Sequence, residues 1–354
     1  MSSQSISELL QTQVQQAAND GRALNIIGSG SKHFLGRQCE GATLDVSKHR
    51  GIIEYDPCEL VITARAGTPL KEIEQTLAES GQMLAFEPPH FGEQATLGGT
   101  IACGLSGPRR PYAGSARDFV LGCKLLNGKG EIMQFGGQVM KNVAGYDVSR
   151  LMAGAYGTLG VMLELSLKVL PRPAATITLF NECSETDAIQ FMSSLLSKAQ
   201  PVDASCYYKG QSYVRISGSE QSVIEAQKKL SGENLSQHSH FWQRLREHEL
   251  SFFNSDKPLW RIMVKPATAA LPIDGEWLLD WGGAQRWLYS DVDASTIRNI
   301  VQQHGGHASL FRGGDRSNNV FQPLAKPMQR LQQRIKTSFD PNTVFNPGRM
   351  YAEI

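Results

Sequence analysis

Three short turns in the first half of the chain combine glycine with hydroxyl residues: Gly28-Ser29-Gly30-Ser31, Thr96-Leu97-Gly98-Gly99-Thr100 and Gly157-Thr158-Leu159-Gly160-Val161. Glycine lets backbone N–H groups approach an anion closely, and Ser and Thr hydroxyls add donors. Any one of these turns is equally well a strand-to-loop turn or a small-residue packing site. The first also breaks the G-x-G-x-x-G spacing, because His33 stands where the third glycine belongs. Three of them together point to one long ligand carrying a pyrophosphate, a dinucleotide. Their spread along the chain argues against the compact site of a Rossmann unit.

Other residues of reactive type are scattered. Arg109 and Arg110, followed by Tyr112, lie in a Gly- and Pro-rich loop over 87–114. A guanidinium suits a carboxylate, although solvent, a phosphate or a partner chain would satisfy the same cations. His304 and His307 have the i, i+3 spacing of a helical metal pair, but Gly305-Gly306 between them reads as a helix end and no acid stands beside them. No metal site is expected. His238, His240 and His248 read as the surface of a polar helix. Cysteines at 39, 58, 103, 123, 183 and 206 form no CxxC pair and no Cys/His cluster, which fits reduced thiols in the cytosol rather than zinc or an iron–sulfur centre in this chain. No set of residues identifies a catalytic group.

The elements that must position the turns follow from composition and periodicity. A chain of 354 residues, 41% hydrophobic, has room for two or three domains with their own cores. Lys plus Arg number 35 against 34 Asp plus Glu, so no basic excess draws it to nucleic acid. The amino terminus lacks the basic and apolar regions of a signal peptide, and no apolar run reaches the length of a membrane span. A cytoplasmic protein with at most peripheral membrane contact is expected.

Apolar residues at helical spacing over 5–20, closed by Gly21, predict an opening helix. Strands are expected over 23–27, 43–46, 52–55 and 60–66, then a helix from Pro69 to about 80. Asn127-Gly128 predicts a hairpin between 119–126 and 131–135. A strand over 161–170 ends at Pro171-Arg172-Pro173, which marks a domain boundary. Beyond it, strands and helices alternate to about 311, including a helix near 238–253, in an order that fits helices segregated over an antiparallel, ferredoxin-like sheet. A helix over 326–337 precedes Asn346-Pro347-Gly348, and no internal repeat is evident.

Taken in order, the three turns, the Pro88-Pro89 and Arg109-Arg110-Pro111-Tyr112 segments between them, and Lys141-Asn142-Val143-Ala144-Gly145-Tyr146-Asp147 resemble the FAD-binding domain of the vanillyl-alcohol-oxidase, or PCMH, type. The resemblance covers 1–172, and Phe345-Asn346-Pro347-Gly348-Arg349 is similar to that family's closing motif. Within the family, the wording of 141–147 and the length most resemble the E-subunit family of bacterial glycolate oxidases. An α+β fold is implied, with a two-subdomain PCMH-type FAD domain over 1–173, a ferredoxin-like cap over 174–311, and a segment over 312–354 packing back near the flavin.

The resemblance further implies that Gly28, Ser29, Gly30 and Ser31 contact the FAD pyrophosphate. Thr96, Gly98, Gly99 and Thr100 line the phosphate and ribityl region. Gly157, Thr158, Gly160 and Val161 approach the flavin, and Pro89 and Asn346 complete the site. FAD is expected to be non-covalent, since Ser31 holds the place of a histidine that anchors flavin in several members. Cys103 is either a second attachment point or an ordinary small buried residue.

Oxidation of glycolate to glyoxylate is implied, in a complex with a sister FAD subunit and an iron–sulfur subunit, in the cytoplasm or peripherally on the cytoplasmic face of the inner membrane. Where hydroxy-acid dehydrogenases of the family carry a His-rich metal site and a Gly-Asp-Gly-Asn segment, this sequence offers only Arg312-Gly313-Gly314-Asp315. That difference assigns the small 2-hydroxy acid to the sister subunit and gives this chain a second flavin, an electron relay or structural support. The rival expectations are a self-sufficient oxidase using Arg110 and Tyr112, and a scaffold that has lost FAD.

Overall fold

The computed structural model describes residues 5–137 and 147–354, so the Lys141 to Tyr146 part of the motif above lies outside the described residues. Helix α1 (Ile6–Asp20) opens with a reciprocal capping box between Ser5 and Glu8 and closes at Gly21, whose φ of 64° is left-handed. It buries Leu10, Val14 and Ala17. Strands β1 (Leu24–Ile27) and β2 (Ala42–Asp45) pair in parallel. Among the described residues, β3 (Ile52–Asp56), β4 (Val61–Arg65), β6 (Val120–Leu126), β7 (Ile132–Gly136) and β8 (Val161–Lys168) form a sheet in the order β3-β4-β8-β6-β7. The short β5 (Gln82–Met83) and β9 (Leu170–Pro171) pair beside it. Helices α2 (Leu70–Glu79) and α3 (Leu97–Cys103) cover this part of the core, and α4 (Arg110–Ala113), α5 (Ala116–Phe119) and α6 (Val148–Leu151) are single turns.

The hairpin between β6 and β7 is present, but its turn works differently from a two-residue Asn-Gly turn. Leu126 pairs with Ile132 across the loop, Asn127 Oδ1 accepts the N–H groups of Lys129 and Glu131 at 2.9 Å each, and Gly130 rather than Gly128 is left-handed. Gly128 serves close packing instead, since a Cβ there would stand 2.8 Å from Asp340 Cα.

Strands β10 (Ala175–Glu182), β11 (Val202–Tyr208), β12 (Gln211–Gly218) and β13 (Glu233–Asn234), with helices α7 (Glu185–Leu195) and α8 (Glu220–Lys229), make a ferredoxin-like unit in the order β13-β10-β12-β11. A second unit continues the same sheet: β14 (Leu259–Met263), β15 (Glu276–Asp280), β16 (Gln285–Tyr289), α10 (Ala294–Gln303) and β17 (His307–Arg312), in the order β15-β16-β14-β17. The cap is thus two ferredoxin-like halves joined edge to edge through Tyr207 and Leu279, and in the second half a loop replaces the first crossover helix. The stretch near 238–253 divides into α9 (His238–Arg246) and a 3₁₀ turn at Ser251–Phe253, because Leu250, Phe252 and Phe253 are drawn into the core.

One face of the second half buries Trp260, Ile262, Leu288 and Leu310 with Ile297 and Val301 of α10. The other presents Leu259, Trp287, Tyr289 and Phe311 to Leu35 and Leu105 of the first part of the chain. This shared apolar layer sets the cap over the glycine turns. Helix α11 (Lys326–Phe339) then returns the chain, and Phe345 bridges to Leu24 in parallel beside β1. Among the described residues, no helix is long and apolar enough to cross a membrane.

Candidate functional site

A cavity lies where the three glycine turns converge. Gly28, Ser29, Gly30 and Ser31 line it, together with Thr96, Gly98 and Gly99, Gly157, Gly160 and Val161, and Asn346. The turns contribute in different ways. After β1 the chain leaves its ladder, and the N–H groups of Gly28, Ser29 and Gly30 take no hydrogen-bond acceptor among the described residues. They remain available to an anion. A Cβ on Gly28 would collide with Thr96 Oγ1, so only glycine lets the first two turns meet.

In the second turn the N–H groups are already committed. Gly98 donates to Ala66 O at 2.7 Å, Gly99 to Thr96 Oγ1 at 3.3 Å and Thr100 to Thr96 O at 3.0 Å. Its glycines supply room, since a Cβ on Gly98 would stand 2.7 Å from Ala66 Cβ and push α3 off the sheet. The third turn is held by Asn346. Its Oδ1 accepts from Ile26 N–H at 2.8 Å, its Nδ2 donates to Tyr156 O at 2.7 Å, and a Cβ on Gly157 would stand 2.7 Å from that same Nδ2. Both polar atoms of Asn346 are therefore occupied in stapling the last segment to β1 and the turn.

Three expected contact residues fall outside this wall. Thr158 is buried with its hydroxyl donating to Ala155 O at 2.7 Å, Thr100 is wholly buried on the core side of α3, and Pro89 lines a neighbouring cleft. The Thr158 hydroxyl finds its partner within the fold and is not free for a ligand, whereas the Thr100 hydroxyl is buried away from the cavity without a partner.

The sequence reading passed over two cations in the wall. Lys32 is 7% exposed, donates to His90 O at 2.9 Å and reaches Ser31 Oγ at 3.4 Å, with burial lowering its pKa. Arg349, also 7% exposed, donates to His33 O at 3.1 Å. Neither has a carboxylate within ion-pair distance among the described residues, and no Asp or Glu lines the cavity. Their positions directly after the first turn and within Asn346-Pro347-Gly348-Arg349 were the available signals. Cys103 also lines the cavity, and burial pushes its thiol up to about 11, so it stays protonated.

Other candidates are placed elsewhere. Arg109 lies 3.3 Å from Glu87 and 2.5 Å from Asp203, in a cluster that Arg215 completes. Arg110 lies over the Trp281 ring at 4.4 Å, and Tyr112 packs beside Val214 and Ile216 with its hydroxyl 3.5 Å from Ser205 Oγ. His304 and His307 are exposed. His248 departs most from the reading of a helical surface: it follows the end of α9 with φ 58° and stacks on Phe253 at 3.9 Å, within reach of Phe91, Trp287 and Phe311. The aromatic core captures its ring.

Residues 5–136 match the family model described as FAD binding domain. Glycolate oxidase subunit GlcE of Escherichia coli (strain K12) is 51% identical over 348 residues, covering 98% of each chain. Glycolate oxidase subunit GlcD of Bacillus subtilis (strain 168) is 31% identical over 52% of this chain and 39% of its own. D-lactate dehydrogenase of Anaerostipes hadrus is 33% identical over 45% of this chain and 34% of its own. A solved structure of alkyldihydroxyacetonephosphate synthase shares the fold, with a TM-score of 0.64 at 16% identity over 96% of this chain and 75% of that one.

Proposed function

Since the chain belongs to the GlcE family of glycolate oxidase subunits, we propose that it is an FAD-carrying subunit of a glycolate oxidase complex, working with a sister FAD subunit and an iron–sulfur subunit. The observation that carries this reading is a cavity wall with two cations, no acid and three uncommitted backbone N–H groups, placed where glycines keep Cβ atoms out. Those residues fit a ligand with a pyrophosphate and a flat ring system. Gly28, Ser29, Gly30 and Ser31 would hold the phosphates with Lys32 and Arg349, while Gly98, Gly99, Gly157, Gly160 and Val161 shape the remainder. FAD supplies the two-electron acceptor for oxidising an α-hydroxyl group to a carbonyl. The protein orients it and excludes water with the aromatic layer under the cap. Non-covalent binding is supported by Ser31 in the first turn and by the protonated thiol of Cys103. Residence in the cytoplasm, with at most peripheral contact at the inner membrane, belongs to the same proposal.

Purification of the chain alone and with its co-purifying partners tests the reading. Visible flavin absorbance in the isolated chain and glycolate-dependent dye reduction by the complex are expected. A colourless chain that takes up no added FAD overturns it and favours a scaffold.

A further inference from the structure

The last segment of the chain holds the third glycine turn on both sides of Gly157. Tyr156 O accepts from Asn346 Nδ2 at 2.7 Å, and Thr158 O accepts from Lys336 Nζ at 2.7 Å. The same ammonium donates to Phe345 O at 2.8 Å and to Asp340 Oδ2 at 2.7 Å, so its three donors are all committed. Asp340, itself wholly buried, accepts in turn from Val344 N–H at 2.9 Å and Phe345 N–H at 2.8 Å. Helix α11 thus buries Lys336, at 4% exposed, and leaves Met328 and Leu331 outside.

A buried ammonium is costly, and packing alone would be served better by an apolar side chain. What Lys336 adds is a cation on two backbone carbonyls that have no other donor among the described residues. One carbonyl belongs to the third turn and the other to the residue before Asn346. Gly157, Gly160 and Asn346 line the cavity, while Lys336 stands behind that wall. In a trans peptide the N–H points opposite to the C=O, so holding Tyr156 O and Thr158 O turns Gly157 N–H and Leu159 N–H the other way. Neither N–H takes an acceptor among the described residues, whereas Thr158 N–H, between them, donates to Ala155 O at 2.9 Å. A peptide whose carbonyl accepts from a cation is polarised, which makes its N–H a stronger donor. Leu159 N–H has that advantage; Gly157 N–H, held through the neutral amide of Asn346, does not.

We propose that Lys336 is a positioning residue of the flavin site, which through Thr158 O fixes the third turn and strengthens Leu159 N–H as a donor to the electron-rich edge of reduced FAD. The inference rests on the proposed FAD-carrying role. Charge and hydrogen bonding near the ring are what a protein uses to tune a flavin. Asp340 opposes the lowering of the Lys336 pKa by burial, and it does so without placing a carboxylate in the cavity wall.

The midpoint potential of FAD bound to the purified full-length chain, read by reductive titration alongside thermal melting, is the test. Lys336→Met should lower the potential by about 30 mV, equivalent for a two-electron couple to about a tenfold greater loss of hold on reduced than on oxidised flavin. It should also shift the long-wavelength flavin band and melt earlier, because Asp340 is left as an unpaired buried charge. Lys336→Met combined with Asp340→Asn removes that charge, so the melting temperature should recover while the potential stays low. The double variant also serves if the single one does not fold. Lys336→Arg, which keeps the cation, should lie nearer to wild type in potential than either. A double variant whose potential and flavin band match wild type overturns the positioning role and leaves Lys336 a structural tie. That result in a yellow chain leaves the proposed function standing, whereas a wild-type chain that takes up no FAD overturns both.

Discussion

Asn346 is a residue whose type is dictated twice, once by its backbone and once by its side chain. Its φ of 41° is a conformation asparagine tolerates better than most residues, and its amide satisfies Ile26 N–H and Tyr156 O, two groups on different parts of the glycine-turn domain. Asn346→Ala strands both and should cost about 2–4 kcal/mol in a denaturant titration, with reduced flavin retention. Asp280 gives a prediction in pH. Burial raises it from 3.8 to about 7, so the protonated form stabilises the fold. That contribution is complete below about pH 4, is lost as pH rises through 7, and is on the order of 4 kcal/mol. Subtracting the stability profile of Asp280→Asn from that of wild type should leave a curve falling between those pH values and flat above, and a level difference curve would refute the assignment. Subtraction matters because His248, depressed by burial, acts in the other sense and destabilises as pH falls below its ordinary value. At this scale the glycines were legible because they alone permit close approach, as at Gly28 against Thr96 and Gly157 against Asn346. Thr158 misled because a sequence cannot say whether a hydroxyl is already satisfied, Thr100 because it cannot say which side chains the core covers, and the cations stayed hidden because Lys32 and Arg349 matter through the carboxylates they lack.

Elements meet through a cluster of four charges that ties the loop before α4 to the cap. Glu87, in the left-handed conformation at φ 46°, lies 2.8 Å from Arg215 of β12, while Asp203 of β11 lies 2.5 Å from both Arg215 and Arg109. Burial opposes the charge on Glu87, but Arg215 and Arg109 outweigh it and hold its pKa below the ordinary carboxylate value. Breaking such a pair from one side is far costlier than removing both ends. Glu87→Gln should therefore lose about 3–5 kcal/mol in chemical denaturation, and Glu87→Leu combined with Arg215→Met should recover much of it; a double variant as unstable as the single one would show that the cluster acts through something other than charge. The helices and long strands around this cluster were readable from periodicity and caps, as in α1 with Ser5, Glu8 and Gly21. Pairing was less so. Two-residue strands such as β13 carry no periodic signal, and the doubled cap is invisible because its halves share strand order, not sequence, and a loop stands in the second half where the first crossover helix would be.

For the whole molecule the decisive quantity is where charge sits, since 35 basic against 34 acidic side chains leave almost no net field. The glycine-turn cavity collects Lys32 and Arg349 with no acid in its wall, and the second of these arrives on the last segment of the chain, 317 residues after the first. A ligand held by both ends must favour the folded chain over the unfolded one, in which the two cations are far apart. Native stability should then climb with free FAD, by about 2.7 kcal/mol at a hundredfold excess over the dissociation constant. Lys32→Met and Arg349→Met should each shift the thermal-melting curve against FAD concentration to higher FAD, the double variant further, and added salt should mimic them by screening. Adenosine, which has the base and ribose without phosphates, should not distinguish wild type from these variants. If it does, or if FAD raises the melting point of the double variant as strongly as that of wild type, the two cations serve the packing of the carboxyl-terminal segment and the phosphates are held by the backbone of Gly28 to Gly30 alone.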